Sequence, residues 1–569
     1  MRFEADDLIQ EAYAKLANLT TVSNLTHPKA KTARLCTLES WTPGVTGNLG
    51  FIANGPNHRM RGAETPVLAR VFEGLTVTAS VSAIRRPNSV VAGILLADRA
   101  EGMNEMSTDV RSRTGSEIWQ MDRDHVLHPW THHDSFRRDG ALIVADAKGA
   151  YITDTNGKRY LDGMGGMWCV NIGYGRDELV DAMAEQAKRL PYANSFVDMG
   201  NIPAAELAGA LSAIAPAALN HVFYSTSGSC AMDSAIRLAH YYHSRRGAGS
   251  RRHIISRRNS YHGSTYLGIS VGHRYGDRTP HFQYAEGFIH HLSAPYPYRR
   301  PAGMSVTEFT DFLVTEFEDK IAELGAENIA AFVAEPIQGA GGVVVPPPGY
   351  LERMWSVARS HGILFIADEV VTAFGRVGHW FASSSEFGIE PDIINCAKGL
   401  TSGYLPLGAT IYSDAIHEVI NTPDPDAWFA HGFTYSGHPV CCAVALRNIE
   451  IIKRDDILAH ARQVGDYLEA RLQELEALPL VGEVRGRRMM MCVEYVADKK
   501  TKATLPEHLN IAQRISDRCE ANGLLVRPLG HLHILSPPLT ITRPEVDFIV
   551  DTLRAAIEEV TRSLALPAH

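Results

Sequence analysis

Lys398 and Asp368 are the residues of this chain whose types and settings could do chemistry together. Asp368 closes an apolar run, Gly362-Ile363-Leu364-Phe365-Ile366-Ala367, and is followed by Glu369 and Val370. Lys398 follows a second apolar run, Ile393-Ile394-Asn395-Cys396-Ala397, and precedes Gly399-Leu400-Thr401-Ser402-Gly403. A lysine amine set among small and apolar residues loses basicity by desolvation and can add to a carbonyl. A carboxylate at a neighbouring strand end can keep a ring nitrogen protonated, so that the ring withdraws electrons. Taken singly, a strand-end aspartate is usually a turn cap and a lysine a solvated charge.

The surrounding segments supply what the pair lacks. Ser225-Thr226-Ser227-Gly228-Ser229-Cys230-Ala231 follows an apolar strand and opens a helical stretch through Leu238. Small residues at such a turn let free N–H groups and hydroxyls converge on a phosphate, helped by the helix dipole. A Ser/Gly turn alone is more often a simple cap. Tyr261-His262-Gly263 and Glu335-Pro336-Ile337-Gln338-Gly339 follow further strands. The glycine run Gly339–Gly342 is not followed by a clear helix and so is not a dinucleotide fingerprint.

These elements imply an α/β fold. Strands alternate with helical stretches from about 175 to 435: His221–Tyr224, Arg252–Ser256, Ala330–Ala334 and the runs before Asp368 and Lys398. That rhythm is the mark of a mainly parallel sheet, whose ligands sit beyond the carboxyl ends of the strands. Upstream, Leu142–Ala145, Tyr151–Asp154 and Lys158–Gly163 read as hairpin strands, joined by turns at Lys148-Gly149 and Asn156-Gly157. From about 440 the chain is helix-heavy around Leu480–Gly486 and Leu524–Arg527 and reads as a smaller α+β domain. The expected division is 106–174 and 439–569 as the two parts of a small domain, 175–438 as the large domain, and 1–105 as a poorly patterned extension.

From about Trp119 to the C-terminus the chain resembles the class III, fold-type I aminotransferases that depend on pyridoxal 5′-phosphate (PLP). The resemblance runs through Asp122–Thr131, the Ser227-Gly228-Ser229 turn, Tyr261-His262-Gly263, Glu335–Gly339, Asp368-Glu369-Val370, Lys398 and His431-Gly432-Phe433-Thr434-Tyr435-Ser436-Gly437-His438-Pro439. It implies that Lys398 forms the Schiff base with the cofactor aldehyde, then relays the substrate proton, while Asp368 holds the ring nitrogen. Tyr261 and Val370 would cover the two ring faces, and Ser227, Gly228 and Ser229 would cup the phosphate. His262 and Glu335 would line the cofactor, and Thr434 would reach the phosphate in the partner subunit of a homodimer. Cys230, Glu369 and Val371 receive no role.

Two positions point to the amine- and ω-amino-acid–pyruvate subgroup. Gly163–Asn171 resembles the segment that carries a pocket tryptophan, here Trp168. Arg527 matches a mobile arginine that binds the carboxylate of an α-keto acid and swings away for an amine donor. Ornithine- and GABA-type relatives place their arginine before the Pro-Pro-Leu stretch, which here, at Ile534–Leu539, has none. The implied reaction is ping-pong transfer of an amino group from an amine or ω-amino acid (β-alanine, taurine or diamine type) to an α-keto acid, pyruvate. The alternatives are a decarboxylase or aminomutase on the same scaffold, or a PLP-domain sensor with a regulatory N-terminal segment.

Charge argues against nucleic acid or an anionic membrane as the main partner: 64 acidic residues against 55 basic give a net charge of −9. Basic and acidic residues nearly balance over 1–105, although Asp6–Leu16 has helical periodicity and a faint similarity to the start of extracytoplasmic-function sigma factors. That segment is expected to be irregular, or to precede a natural start at Met103 or Met106. Eight cysteines without a C-x-x-C pair fit reduced thiols in a cytoplasmic enzyme, with no metal site. No run approaches the length of a membrane span.

Overall fold

The computed structural model describes residues 113–564 except residue 217, together with two short strands, Phe51–Ile52 and Arg59–Met60, which pair antiparallel. The expectations for Asp6–Leu16 and for a start at Met103 or Met106 lie outside the described residues. The chain divides into two units, Met1–Met121 and Asp122–His569. Among the described residues, no helix is long and apolar enough to cross a membrane.

The second unit opens with β1 (Val144–Lys148), β2 (Tyr151–Asp154) and β3 (Arg159–Asp162), an antiparallel meander. The Asn156-Gly157 turn is closed by Asp154, whose Oδ1 accepts from the N–H groups of Asn156 (2.8 Å) and Lys158 (2.9 Å). Gly157 takes a φ of +82° there, a region that disfavours any side chain.

Seven strands then build the central sheet: β4 (His221–Ser225), β5 (His253–Arg257), β6 (Ile289–Leu292), β7 (Ile329–Ala334), β8 (Leu364–Asp368), β9 (Ile393–Cys396) and β10 (Gly408–Tyr412). Their spatial order is β4-β10-β9-β8-β7-β5-β6. The run from β9 through β6 is parallel; β10 is antiparallel to both of its neighbours. The fold is therefore the mainly parallel α/β sheet expected, with β6 and β10 as strands that the sequence pattern did not announce.

Strands buried on both faces read as unbroken apolar runs, and β7 shows it: all six residues of Ile329–Ala334 are buried. Phe332 packs between Phe317 and Phe365, at ring separations of 4.8 and 5.4 Å. Truncating such a ring to alanine costs about 3–5 kcal/mol. The helix Gly228–Arg245 lays Ala231, Ala235, Leu238, Ala239 and Tyr242 against this sheet, the i, i+4, i+7 spacing of one helical face.

The remaining strands are β11 (Val481–Arg487), β12 (Met490–Tyr495), β13 (Leu524–Leu525), β14 (Arg527–Leu529) and β15 (Leu532–Leu535). An antiparallel sheet orders β11-β12-β15-β14, while β13 pairs parallel with β3 and joins the opening meander. The stretches Leu480–Gly486 and Leu524–Arg527, read as helix-heavy, are thus themselves strands, flanked by the helices Ile457–Gln473, Ile511–Ala521 and Arg543–Ser563. Short apolar runs fit either state, and pairing with distant strands decided these.

Candidate active site

Adjacent parallel strands bring the two principal residues together. Asp368 is the last residue of β8 and pairs across to Asn395 of β9; three residues further on, the chain turns at Lys398. Lys398 takes a φ of +46°, rare for a side-chain-bearing residue, at the start of a 3₁₀ turn. The next residue must be small: a Cβ on Gly399 would lie 2.3 Å from Nδ2 of Asn171. Burial lowers the basicity of the Lys398 amine, against the opposing pull of Asp368, Cys169 and Glu335.

Asp368 is fixed from two sides. Its Oδ2 lies 2.7 Å from Nδ1 of His262, and its Oδ1 accepts the Val370 N–H at 3.2 Å. Glu335 ties the same region together through Oε1, which accepts from Tyr261 N (3.1 Å), and Oε2, which accepts from Gly339 N (2.8 Å). Burial pushes the Glu335 carboxyl up, and nearby Asp368 adds to the shift. Glu369 points away: its oxygens accept from Thr372, Ala382 and Ser383, a wholly structural set.

The Ser227–Ser229 turn caps the helix Gly228–Arg245. Ser227 Oγ accepts from Cys230 N at 3.2 Å, which leaves the N–H groups of Gly228 and Ser229 without a protein acceptor among the described residues. A Cβ on Gly228 would lie 2.8 Å from Val370, so this turn packs directly on the residue after Asp368-Glu369. Ser229 Oγ accepts from Ser264 N at 3.0 Å, and Ser264 Oγ lies 2.9 Å from the Tyr261 hydroxyl. Two unpaired N–H groups at a helix N-terminus, an aromatic ring, a desolvated amine and a strand-end carboxylate are the donor set that a phosphorylated pyridine aldehyde needs.

Arg527, on β14, reaches this mouth. Its Nη1 lies 3.1 Å from Sδ of Met167, and among the described residues no carboxylate is within ion-pair distance of it. Burial lowers its basicity, as does Arg274 beside it. Trp168 is only 3% exposed and packs with Ile337, Val343, Leu532 and Ile534; its neighbour Met167 is the residue that meets Arg527. Thr434 stands apart from this group, on an exposed loop where its carbonyl accepts from the Tyr192 hydroxyl at 2.9 Å.

Sequence reasoning missed the layer outside Tyr261. Trp130, Arg274 and Asp277 meet there, with the Trp130 and Tyr261 ring centres 6.0 Å apart. No local pattern links residues from two distant loops.

Residues 135–557 match the class-III aminotransferase family. The chain is 41% identical to the putrescine–pyruvate aminotransferase of Pseudomonas aeruginosa over 81% of its own length and the whole of that protein. It is 37% identical to the diaminobutyrate–2-oxoglutarate transaminase of Halomonas elongata, covering 79% of this chain and 98% of that one. Among solved structures, an (S)-enantioselective omega-transaminase from Thermomicrobium roseum is 41% identical with a TM-score of 0.77, covering 79% of this chain and 99% of that one. The omega transaminase from Pseudomonas jessenii in complex with PMP is 36% identical, also with a TM-score of 0.77, covering 79% and 100%. The chain belongs to the class III aminotransferases. It is a PLP-dependent, fold-type I enzyme that transfers an amino group from an amine to a keto acid.

Proposed function

We propose that this enzyme moves the amino group of an amine or ω-amino acid, of the diamine, β-alanine or taurine type, to pyruvate. The observation that carries the reading is Arg527, a cation held at the mouth, with no carboxylate in ion-pair distance among the described residues, and close enough to Lys398 to depress its basicity. A guanidinium so placed can take a keto-acid carboxylate through two parallel hydrogen bonds. The putrescine–pyruvate relative supports the same acceptor.

When bound, PLP supplies an electrophilic aldehyde and an electron-withdrawing ring. The chain does the rest. Lys398 Nζ, its basicity lowered by burial, takes the proton from the donor carbon and returns one at the end of each half. Asp368, held by His262 and Val370, would hold the ring nitrogen of the cofactor. The free N–H groups of Gly228 and Ser229 would hold the phosphate, while Tyr261 and Val370 would confine the ring. Amine and keto acid use the same mouth in turn, which gives ping-pong kinetics.

The working unit in this reading is a homodimer with shared sites. Tyr192, Phe196, Val197, Met199 and Tyr435 expose large apolar side chains on the segments that carry and contact Thr434, and Val197 is 90% exposed. A second copy covering this surface would bring Thr434 to its partner's phosphate site. The seven described cysteines are all free thiols, which fits a reducing cytoplasm.

Alanine formation from pyruvate, measured with putrescine, β-alanine and taurine singly, tests the reading. One donor should support steady alanine release without CO₂, and Arg527→Ala should raise the pyruvate KM about 10–100-fold with a smaller effect on the amine. No alanine with any amine, or CO₂ release in step with turnover, would overturn it.

A further inference from the structure

A charged layer backs the Tyr261 ring. The Arg274 guanidinium lies 5.2 Å from the Tyr261 ring centre and 5.5 Å from that of Trp130. Asp277 gathers this layer. It accepts Arg274 Nε at 3.0 Å on each oxygen, Nη2 on one of them, and the Trp130 indole N–H at 3.1 Å. Arg274 and Asp277 are 8% and 7% exposed, so the two charges neutralise each other largely out of water. The Tyr261 ring that Arg274 covers has its hydroxyl on Ser264, which in turn bonds Ser229 at the helix start, so the pair borders the site.

Two arginines therefore flank the mouth, but in opposite states. Arg527 faces it with a sulfur contact and, among the described residues, no carboxylate in ion-pair distance; Arg274 is paired with Asp277. Resting on the transaminase reading above, we propose that Asp277 sets acceptor specificity. By closing the fork of Arg274 it leaves Arg527, among the described residues at this mouth, as the cation open to a carboxylate. The site then takes α-keto monocarboxylates and rejects α-keto dicarboxylates. A second substrate carboxylate gains nothing from Arg274 without stranding the buried Asp277 charge, and it meets that like charge on the way in.

The test compares kcat/KM for 2-oxoglutarate and for pyruvate, at one saturating amine, in the PLP-loaded enzyme and its variants. Asp277→Asn keeps a partner for the Trp130 N–H but frees the Arg274 charge, so the 2-oxoglutarate/pyruvate ratio should rise at least about tenfold. Asp277→Glu should hold the ratio near that of the unaltered enzyme, and adding Arg274→Gln to Asp277→Asn should remove the gain. A loaded Asp277→Asn enzyme with an unchanged ratio overturns the inference.

Should Asp277→Asn fail to fold, Arg274→Gln decides alone. The bare Asp277 carboxylate should then repel keto acids and raise the pyruvate KM about tenfold with kcat largely kept; an unchanged KM overturns the inference. An unaltered enzyme that aminates neither keto acid with any amine overturns the transaminase reading and this inference with it. An active enzyme whose variants leave the ratio and the KM unmoved overturns this inference alone.

Discussion

His262 Nδ1 stands 2.7 Å from Asp368 Oδ2, with both side chains closed off from solvent. The imidazole comes from the turn after β5 and the carboxylate from the end of β8, so one contact locks two strands of the central sheet at the site. A carboxylate pinned this way keeps one orientation toward a ring nitrogen, and the cost of ordering it is met on folding rather than in each turnover.

Replacing Asp368 by Asn should therefore lower kcat by at least about 10³-fold, since the charge that stabilises the ring cation is lost. His262→Ala acts one step removed and should cost about 10–100-fold. A merely structural role for His262 would leave the visible spectrum of the bound cofactor and its pH dependence alone. The account expects both to shift in the variant, because the carboxylate would sit differently against the ring.

The site was legible where chemistry and local pattern coincide. Asp368 and Lys398 each end an apolar run, and buried parallel strands must be apolar throughout; the turn at Ser227-Gly228-Ser229 carries its capping residues in order. Arg274 and Asp277 were not legible, since their meaning lies in Trp130, far away in the sequence. The strand β10 was missed because it is antiparallel within a sheet read as parallel, and β11 because a short apolar run between helices is ambiguous until its partner β12 is known.

Shared sites make a prediction that single-subunit sites do not. Thr434→Val should weaken activity about tenfold through loss of a phosphate hydrogen bond, and Lys398→Ala should abolish it. Mixing the two inactive or weakened proteins under exchange conditions should restore activity. One site of each mixed dimer then carries both defects, and the other carries neither. No recovery in dimers shown to have exchanged would place Thr434 outside the partner's site.

Glu494 gives a pH prediction. Burial raises its carboxyl, but the His531 contact, the Arg485 cation and the Tyr296 and Arg299 donors outweigh that and hold it far below the usual carboxylate range. A folded value below the unfolded one, about 4.3, contributes stability that is complete above that pH and is lost as pH falls beneath it. Thermal melts of the unaltered protein should drop on acidification below about pH 4. Glu494→Gln should cost about 1–3 kcal/mol at neutral pH, because Arg485 loses one of its two carboxylates and keeps Glu483. It should also flatten the acid limb; an equally steep limb in the variant would assign acid sensitivity elsewhere.

The central claim, an amine-to-keto-acid transaminase working through Lys398, is tested most directly by separating the two half-reactions. Putrescine added to the PLP-loaded enzyme should abolish the visible band of the bound cofactor, and pyruvate alone should then restore it with one equivalent of alanine per site. In Lys398→Ala neither change should occur at a measurable rate. A band that no amine alters, or turnover that survives in Lys398→Ala, would contradict the account.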